Sequence, residues 1–516
     1  MKNRSRSVLS VINILSGFAN RFLVSFLKLL GRVVFFRFLS AELYGVSGLF
    51  SNVLGLLALA ELGIGTAITF SLYQPIADRN EEKIRSLMAF YKTAYRVISL
   101  VVLLLGLALM PFLPHLIRDS HTIDHFYPIY LIFLANMVID YLFSYKRTLA
   151  TASQEGYLLV PFTTVFEALI CILQIAVVFF LHKNPACFLI YLGVQTLCLI
   201  AQNLVINAYL DRKYPLLKDV SRAGKLESAE RKSILINIKA LTYHKVGGVI
   251  VAGTDNLLIS KLVDLVSVGL YSNYSTMIAT VSGLVYLFVG NTTASFGNLI
   301  AKEKPAKRLA VFEELSFFYA ALYSVCTTLF LTLFQPFIRF AYGEGFTLPL
   351  PVVILVVLAN FYLLGQTYVL DVVKSAAGLY DQDKWVPLVQ SVLNLGISVV
   401  LGLRIGLAGI FVGTLVSTLV PLLAKPVILY KSVFAISSTR YFRSLAYEIL
   451  VTGVMCGASF WLCSILPETS AGLAIAVNLL VTLPVSVGVF LLFHYRSPYL
   501  GSLFVRVKNL FSRKEK

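Results

Sequence analysis

The chain is a succession of long apolar segments. Hydrophobic residues make up 58% of its 516 positions and charged residues only 14%, whereas a soluble domain is about a quarter charged. A run of about 20 apolar residues crosses a bilayer as a helix, which satisfies its own backbone polar groups. The sequence therefore predicts an all-α polytopic membrane protein with about 14 transmembrane helices, at 10–38, 42–73, 86–113, 126–147, 157–181, 186–209, 234–262, 266–297, 310–338, 349–373, 386–404, 407–430, 443–466 and 472–495.

The distribution of basic residues predicts the orientation of these spans. With the N-terminus inside, 31 of the 44 Lys and Arg residues fall in inner segments, six in outer segments and seven within spans. Cytoplasmic loops carry such an excess, so both termini are predicted to be cytoplasmic. The basic residues 1–8 precede a span too long for a signal peptide, and we expect them to be retained. The net charge of +18 thus belongs to membrane loops and predicts no nucleic-acid partner.

Short strings recur at a nearly constant separation of 221 to 226 positions. The pairs are Gly48-Leu49-Phe50-Ser51-Asn52 with Gly269-Leu270-Tyr271-Ser272-Asn273, Ile76-Ala77 with Ile300-Ala301, Pro111-Phe112 with Pro336-Phe337, and Val160-Pro161 with Val386-Pro387. Six spans separate the copies, so the two repeats insert with the same orientation. This predicts two parallel-repeat six-helix lobes plus two C-terminal helices: a first lobe at 1–210, a cytoplasmic linker at 211–232, a second lobe at 233–435, and helices 13–14 with a basic tail at 436–516.

The first span, Leu9 to Phe38, carries three cations. At 100° per residue, Arg21, Lys28 and Arg32 lie within a ~40° arc. One such charge at mid-bilayer costs ~2.5–3.5 kcal/mol, so three aligned charges need a wet or paired environment. We predict that they line a water-filled cavity for a negatively charged ligand. The alternative is that the two arginines snorkel to opposite surfaces and Lys28 is paired.

The seventh span, the repeat partner of the first, is also polar. Asn237, His244 and Asp255 fall within ~20° of one another, and Lys245 and Asn256 flank them. A second polar stripe opposite the first, at the interface between the lobes, predicts a substrate pore. Helix packing is the competing interpretation of the stripe, and a structural hydrogen bond is the competing interpretation of His244.

Acidic residues within the spans are candidate charge partners. Glu61 in span two should lie at the depth of Arg21, because spans one and two form a hairpin, so we expect the two to pair, either as a switch or as a static ion pair. Asp140 in span four and Asp371 in span ten lie near basic residues at the inner ends of their spans. They either balance charge locally or couple to a cation or proton.

Several classes of function are excluded by missing motifs. The six cysteines form neither a CxxC nor a Cys/His cluster, so no disulfide framework, metal or cofactor is expected. No P-loop, GxSxG or HExxH occurs, and the loops are too short for a catalytic domain. We therefore expect no enzyme, and transport driven by an ion gradient, the membrane potential or the substrate gradient.

The chain resembles the polysaccharide-transporter branch (Wzx-like flippases) of the multidrug/oligosaccharidyl-lipid/polysaccharide exporter superfamily over nearly its whole length. The resemblance lies in the 6 + 6 + 2 arrangement and in local strings: Tyr44-Gly45, Gly48-Leu49-Phe50, Glu61-Leu62-Gly63, Thr254-Asp255-Asn256, Gly269-Leu270-Tyr271-Ser272-Asn273, Asn394-Leu395, Gly406 and Gly413-Thr414. It implies a flippase of the bacterial inner membrane that moves undecaprenyl-diphosphate-linked oligosaccharides by alternating access between two lobes.

This resemblance implies binding partners, and it leaves two alternative functions open. The expected partners are the lipid-linked oligosaccharide, membrane lipid, and a polysaccharide polymerase and glycosyltransferases. The expected substrate contacts are Arg21, Lys28, Arg32, His244, Lys245 and Asn256, with Glu61, Asp140 and Asp255 as charge or coupling partners. A lipid II flippase for peptidoglycan is the nearest alternative. A multidrug exporter of the same superfamily fits less well, because a cavity for cationic drugs should be acidic.

Overall fold

The computed structural model describes residues 23–61, 64–117, 124–153, 155–217, 220, 226, 253–290, 293–379, 382–467 and 470–501. Within these ranges every regular element is helical, which confirms the all-α prediction. The α-helices are α1 (23–38), α2 (Ala41–Leu57), α3 (Ile64–Ala77), α4 (Glu81–Leu109), α5 (Phe126–Ala152), α6 (Val160–Leu181), α7 (Cys187–Lys213), α8 (253–262), α9 (Leu265–Gly290), α10 (Thr293–Lys302), α11 (Pro305–Tyr342), α12 (Leu350–Val357), α13 (Leu364–Ala377), α14 (Val386–Leu429), α15 (Thr439–Ile465) and α16 (Ala471–His494).

Nine helical segments in the described ranges are long and apolar enough to cross a membrane. They are Glu81–Leu116, Phe126–Ala152, Gly156–Leu181, Cys187–Lys213, Pro305–Tyr342, Leu350–Ala377, Val386–Phe434, Thr439–Ile465 and Ala471–His494. The other predicted spans, as far as the structure describes them, fall mainly on α1, α2, α3, α8 and α9. The chain is a multi-pass membrane protein.

The chain divides into two compact units, Met1–Gly269 and Leu270–Lys516. The boundary falls within α9, so α8 and the first turn of α9 belong to the first unit. The predicted lobe boundaries stay a prediction, because most of the predicted linker and the first part of span seven lie outside the described residues.

The predicted spans 386–404 and 407–430 are the two antiparallel arms of α14. The backbone leaves helical geometry only at Ile405 and Gly406, and Gly406 adopts φ +61° and ψ −137°, which glycine alone reaches without strain. The arms then run side by side: Ser398 Oγ donates to the Ile410 carbonyl at 3.0 Å, and Asn394 Nδ2 donates to Thr414 Oγ1 at 3.1 Å. A hairpin therefore forms with almost no loop.

Predicted span two is discontinuous. Its first part is α2, which ends in a 3-10 turn at Ala58–Glu61, and its second part is α3. Predicted span ten likewise contains a π-helical segment at Leu358–Leu363, between α12 and α13. Such interruptions free backbone groups and are common at binding sites of membrane transporters.

Within the first unit, α2 and the beginning of α9 approach each other at two glycines. A Cβ on Gly45 would overlap the Leu265 carbonyl oxygen, and a Cβ on Gly269 would overlap that of Ala41. Small residues permit this backbone contact between membrane helices. The repeated Gly48 lies beside the same crossing, facing Val268.

In the second unit, α15 and α16 pack on α11 through hydroxyl and amide contacts. Ser324 and Thr452 hydroxyl groups lie 2.6 Å apart, and Thr482 Oγ1 donates to Thr332 Oγ1 at 3.0 Å. Asn478 Nδ2 also donates to the Thr332 carbonyl at 2.9 Å. Hydrogen bonds of this kind hold membrane helices together without a hydrophobic driving force.

Candidate functional site: the cationic face of the first helix

Helix α1 has an apolar side and a cationic side. Leu23, Phe26 and Leu30 are exposed by 46, 51 and 42% and lie within about 60° of one another. Lys28 lies about 140–160° from them, and its side chain is 58% exposed. On the described part of the helix, the exposed apolar side chains and Lys28 are therefore on opposite sides of the helical wheel.

Lys28 forms an ion pair with Glu167 of α6. Its Nζ lies 2.7 Å from Glu167 Oε2, and the two side chains are 58% and 34% exposed. The pair is open on one side, so Lys28 retains donor capacity for a further acceptor, since an ammonium group has three N–H bonds. Glu167 offsets the charge of Lys28 without burying it.

Arg32, one turn beyond Lys28, lies against Tyr44 of α2. The guanidinium carbon lies 4.5 Å from the centre of the Tyr44 ring, and Nη2 donates a hydrogen bond to the Tyr44 hydroxyl. Cation–π stacking and hydrogen bonding hold the planar guanidinium in one orientation. Phe35 packs edge-on to Tyr44, with ring centres 5.3 Å apart, and supports this arrangement.

Glu61 lies at the break between α2 and α3 and contacts a tyrosine cluster. Tyr95 Oη donates to Glu61 Oε1 at 2.7 Å. The rings of Tyr95 and Tyr91 are 4.5 Å apart, and Thr148 donates to the Tyr91 hydroxyl at 3.0 Å. A Cβ at Gly65 would lie 2.8 Å from Glu61 Oε1, so glycine one turn later leaves room for the carboxylate.

Asp140 belongs to a separate polar group on α5. Its Oδ1 lies 3.5 Å from Arg147, which also donates to the Asn203 side chain of α7. Asp140 is half exposed, as expected for a residue that balances charge locally. The structure does not bring it together with Lys28 or Arg32 within the described contacts.

Two predicted residues of span seven lie on α8. Asp255 is 7% exposed, and the side-chain oxygen of Asn256 is buried without a hydrogen-bond partner in the described protein. A buried amide oxygen of this kind is costly unless a ligand or water donates to it. Arg21, His244 and Lys245 lie outside the described residues.

The site also contains side chains that sequence reasoning did not assign to it. The sequence assigns no site role to Glu167 or Tyr95, and Tyr44 stands only in a string that carries the family resemblance. The available signal was that an acidic residue in one span needs a basic residue in another. That signal identifies possible partners, but several acidic residues satisfy it equally.

No protein-family model and no curated protein sequence matches the chain. Solved structures do match it. The lipid II flippase MurJ, in an inward closed conformation, matches 94% of this chain and 99% of its own with a TM-score of 0.63 and 13% identity. An inward-facing multidrug-resistance MATE transporter of the MOP superfamily matches 81% of this chain and 97% of its own, with a TM-score of 0.58 and 13% identity.

A third match is the Vibrio cholerae MATE transporter VcmN, which covers 83% of this chain and 99% of its own with a TM-score of 0.53 and 13% identity. At such low identity the likeness concerns the fold alone. The matched proteins are a lipid II flippase and MATE transporters, one of them described as a transporter of the MOP superfamily. The chain has the all-helical fold that MATE transporters and MurJ share.

Proposed function

We propose that the protein is a flippase that moves an undecaprenyl-diphosphate-linked oligosaccharide from the cytoplasmic to the outer leaflet of the bacterial inner membrane, for assembly of a surface polysaccharide. The observation that carries the proposal is the exposure of Lys28 within a predicted span. Lys28 lies about ten residues, or ~15 Å, from the outer end of that span. An exposed ammonium at this depth requires an aqueous surface.

Lys28 and Arg32 suit a diphosphate in their spacing and chemistry. Residues four apart on a helix are neighbours, with Cβ atoms about 5–6 Å apart. A lysine offers a compact charge, and an arginine held flat against Tyr44 offers a planar fork that matches phosphate oxygens. Two adjacent phosphates would bring two acceptors to these two donors.

The energetics favour an anion of this type. Charges attract far more strongly in a low-dielectric setting than in bulk water, so two fixed cations within a span bind a diphosphate and leave its polyprenyl tail in lipid. The predicted contacts of Arg21, His244, Lys245 and Asn256 would extend the site. Asp255 and Glu61 remain proposed charge or coupling partners.

A lipid II flippase is the second candidate, because MurJ has this fold and lipid II presents the same diphosphate and polyprenyl groups. The cationic face distinguishes the proposal from multidrug export of cations, since Lys28 would repel them. We further propose that both termini are cytoplasmic, and that a polysaccharide polymerase and glycosyltransferases act on the same substrate.

The test measures translocation in proteoliposomes that contain the purified protein and a fluorescent undecaprenyl-diphosphate oligosaccharide. We expect Lys28→Ala and Arg32→Ala to reduce translocation at least tenfold, and Lys28→Arg to retain most of it. Lys307→Ala is the matched control, because Lys307 is equally exposed and pairs with Glu303 one turn away at 2.6 Å. Full activity of Lys28→Ala and Arg32→Ala would contradict the mechanism.

The same assay separates the two candidate substrates. A lipid II analogue with the identical lipid and diphosphate replaces the oligosaccharide lipid in parallel vesicles. Faster transport of the oligosaccharide lipid supports the proposal, and transport restricted to lipid II supports the second candidate. Transport of a cationic dye in place of both would overturn both.

A further inference from the structure

A small cavity lies in the second unit between α11, α13 and the first half of α15, and Tyr499, beyond the end of α16, also lines it. It has a volume of about 150 Å³ and is lined by Glu313, Ser316, Gln366, Arg440, Glu448 and Tyr499, among others. This volume holds several water molecules. Arg440 is 62% exposed at its edge, so the cavity reaches the protein surface.

Glu448 and His494 form a buried pair beside this cavity. They are 6% and 5% exposed, and Glu448 Oε1 lies 3.0 Å from His494 Nε2. On the other side of the imidazole, Nδ1 lies 3.0 Å from the Phe490 carbonyl oxygen. Both ring nitrogens therefore face oxygen atoms.

These contacts determine how many protons the pair holds. A carbonyl oxygen only accepts hydrogen bonds, so Nδ1 must carry a proton. The contact between Nε2 and Oε1 then needs one more proton, placed either on the imidazole to give His⁺ and Glu⁻, or on the carboxyl of Glu448. Without that proton two lone pairs would face each other at 3.0 Å. The geometry is that of a pair that has bound one proton.

The cavity offers a route for this proton. Glu448 Oε2, Ser316 Oγ and Gln366 Nε2 are buried and have no hydrogen-bond partner in the described protein. They lie on three different helices and line the same cavity. Water that enters from the Arg440 side would satisfy them and connect the carboxyl group of Glu448 to solution.

The other ionisable groups that line the cavity or contact the pair are one ion pair and several phenols. From α11, Glu313 contacts Arg440 of α15 at 2.5 Å and accepts from the Tyr499 hydroxyl at 2.7 Å. Burial, then the hydrogen bond and charge of Glu313, raise the pKa of Tyr499 above its ordinary value. The remaining phenols are Tyr430, Tyr441, Tyr447 and Tyr362, of which Tyr447 packs edge-on to His494 and donates to the Phe493 carbonyl.

We propose that Glu448 and His494 are a proton-binding site, loaded through this cavity from the side that the charge distribution predicts to be cytoplasmic. Resting on the proposed function, this proton is the ion that the flippase couples to substrate movement. Release of the proton removes the only bridge between the two side chains, and therefore weakens the contact of α15 with α16 at this point. No co-reactant other than the proton is required.

The first test needs no substrate. Infrared difference spectra of the purified protein in nanodiscs, recorded between acid and alkaline pH, should show a carboxyl and imidazole signal that disappears in both Glu448→Gln and His494→Gln. Glu303→Gln, which alters an exposed carboxylate, is the matched control and should leave the signal unchanged. Thermal melting verifies that the variants fold. A signal that persists in both variants would overturn the site.

The second test imposes a pH gradient, or a sodium gradient of equal size, across the proteoliposomes described above. We expect the pH gradient to accelerate translocation in the wild type, and Glu448→Gln to lose at least ninety per cent of that acceleration. An equal response of the wild type and Glu448→Gln would overturn the coupling role. If the protein shows the spectroscopic signal but moves no lipid, the result supports the proton site and refutes the proposed function.

Discussion

Lys146 Nζ of α5 lies 2.6 Å from the Asp211 carboxylate of α7. The second repeat contains the same link with the charges exchanged: Lys425 Nζ, on the second arm of α14, lies 2.7 Å from Asp371 Oδ1 of α13. Lys146 and Asp371 are 225 positions apart, within the range of the internal repeat, whereas Asp211 and Lys425 are 214 positions apart. In each predicted repeat an ion pair thus joins the fourth and sixth spans, and its polarity differs between the two.

This relationship predicts that the Lys146–Asp211 pair tolerates exchange of its charges. Lys146→Asp and Asp211→Lys each place two like charges together and should lower the melting temperature in detergent. The free energy of unfolding should fall by an amount between the ~1 kcal/mol of an exposed ion pair and the ~3–5 kcal/mol of a buried one, because the two side chains are 12% and 29% exposed. The double variant, with Lys146→Asp and Asp211→Lys together, should recover most of the lost stability.

Single and double charge exchanges at Asp371 and Lys425 provide the matched comparison in the second unit. There Lys374 also contacts Asp371, at 3.4 Å. The double variant should therefore recover less of the lost stability, because the lysine of Asp371→Lys would lie beside Lys374. No recovery at Lys146 and Asp211 would contradict the view that the repeats retain the pair itself.

The hairpin in α14 predicts an unusual sensitivity at Gly406. At φ +61° and ψ −137° any side chain is strained, and such backbone positions cost of order 1–3 kcal/mol. Gly406→Ala should therefore lower the melting temperature. Gly396→Ala on the first arm is the control, since a Cβ there meets no atom within 4 Å, and it should be neutral or slightly stabilising. Equal effects of the two substitutions would contradict the turn geometry.

The helices were predictable because each depends mainly on the residues of its own segment. Apolar length alone indicated the spans, and the short interval between 404 and 407 indicated the turn that Gly406 makes. The break in span two was not predicted: the segment 42–73 contains no proline to mark it, and Glu61 at the 3-10 turn accepts a hydrogen bond from Tyr95 of another helix.

Side-chain partners were less predictable than helices. The angular position of Lys28 on α1 follows from helical periodicity, but its pairing with Glu167 depends on how α6 is rotated against α1. Arg32 could have snorkelled to the surface, and its stacking on Tyr44 instead depends on the short connection between α1 and α2. Such relations between separate helices are set by packing, which a single sequence does not record.

The predicted pairing of Arg21 with Glu61 is tested by a double-mutant cycle on translocation and melting temperature. Tyr95 donates to Glu61 Oε1 at 2.7 Å, so the cycle measures the coupling of Arg21 to a carboxylate that already accepts one hydrogen bond. Arg21→Ala and Glu61→Gln should then be non-additive, with a coupling of 0.5–3 kcal/mol for residues in contact. Tyr95→Phe serves as a positive control that couples to Glu61→Gln. Additive effects of the Arg21 and Glu61 substitutions would exclude the pair.

Glu167 should compete with the substrate for Lys28. A diphosphate that binds Lys28 either displaces Glu167 Oε2 from its 2.7 Å contact or shares the ammonium with it, and in both cases two anions approach each other. Glu167→Gln removes that repulsion, so we expect a lower half-saturating concentration of the lipid substrate in the proteoliposome assay, by about three- to tenfold for ~0.7–1.4 kcal/mol. Raising the salt concentration should diminish the difference, since the pair is partly exposed. Glu303→Gln should leave the half-saturating concentration unchanged, and an increase in Glu167→Gln would show that Glu167 instead holds Lys28 in its binding position.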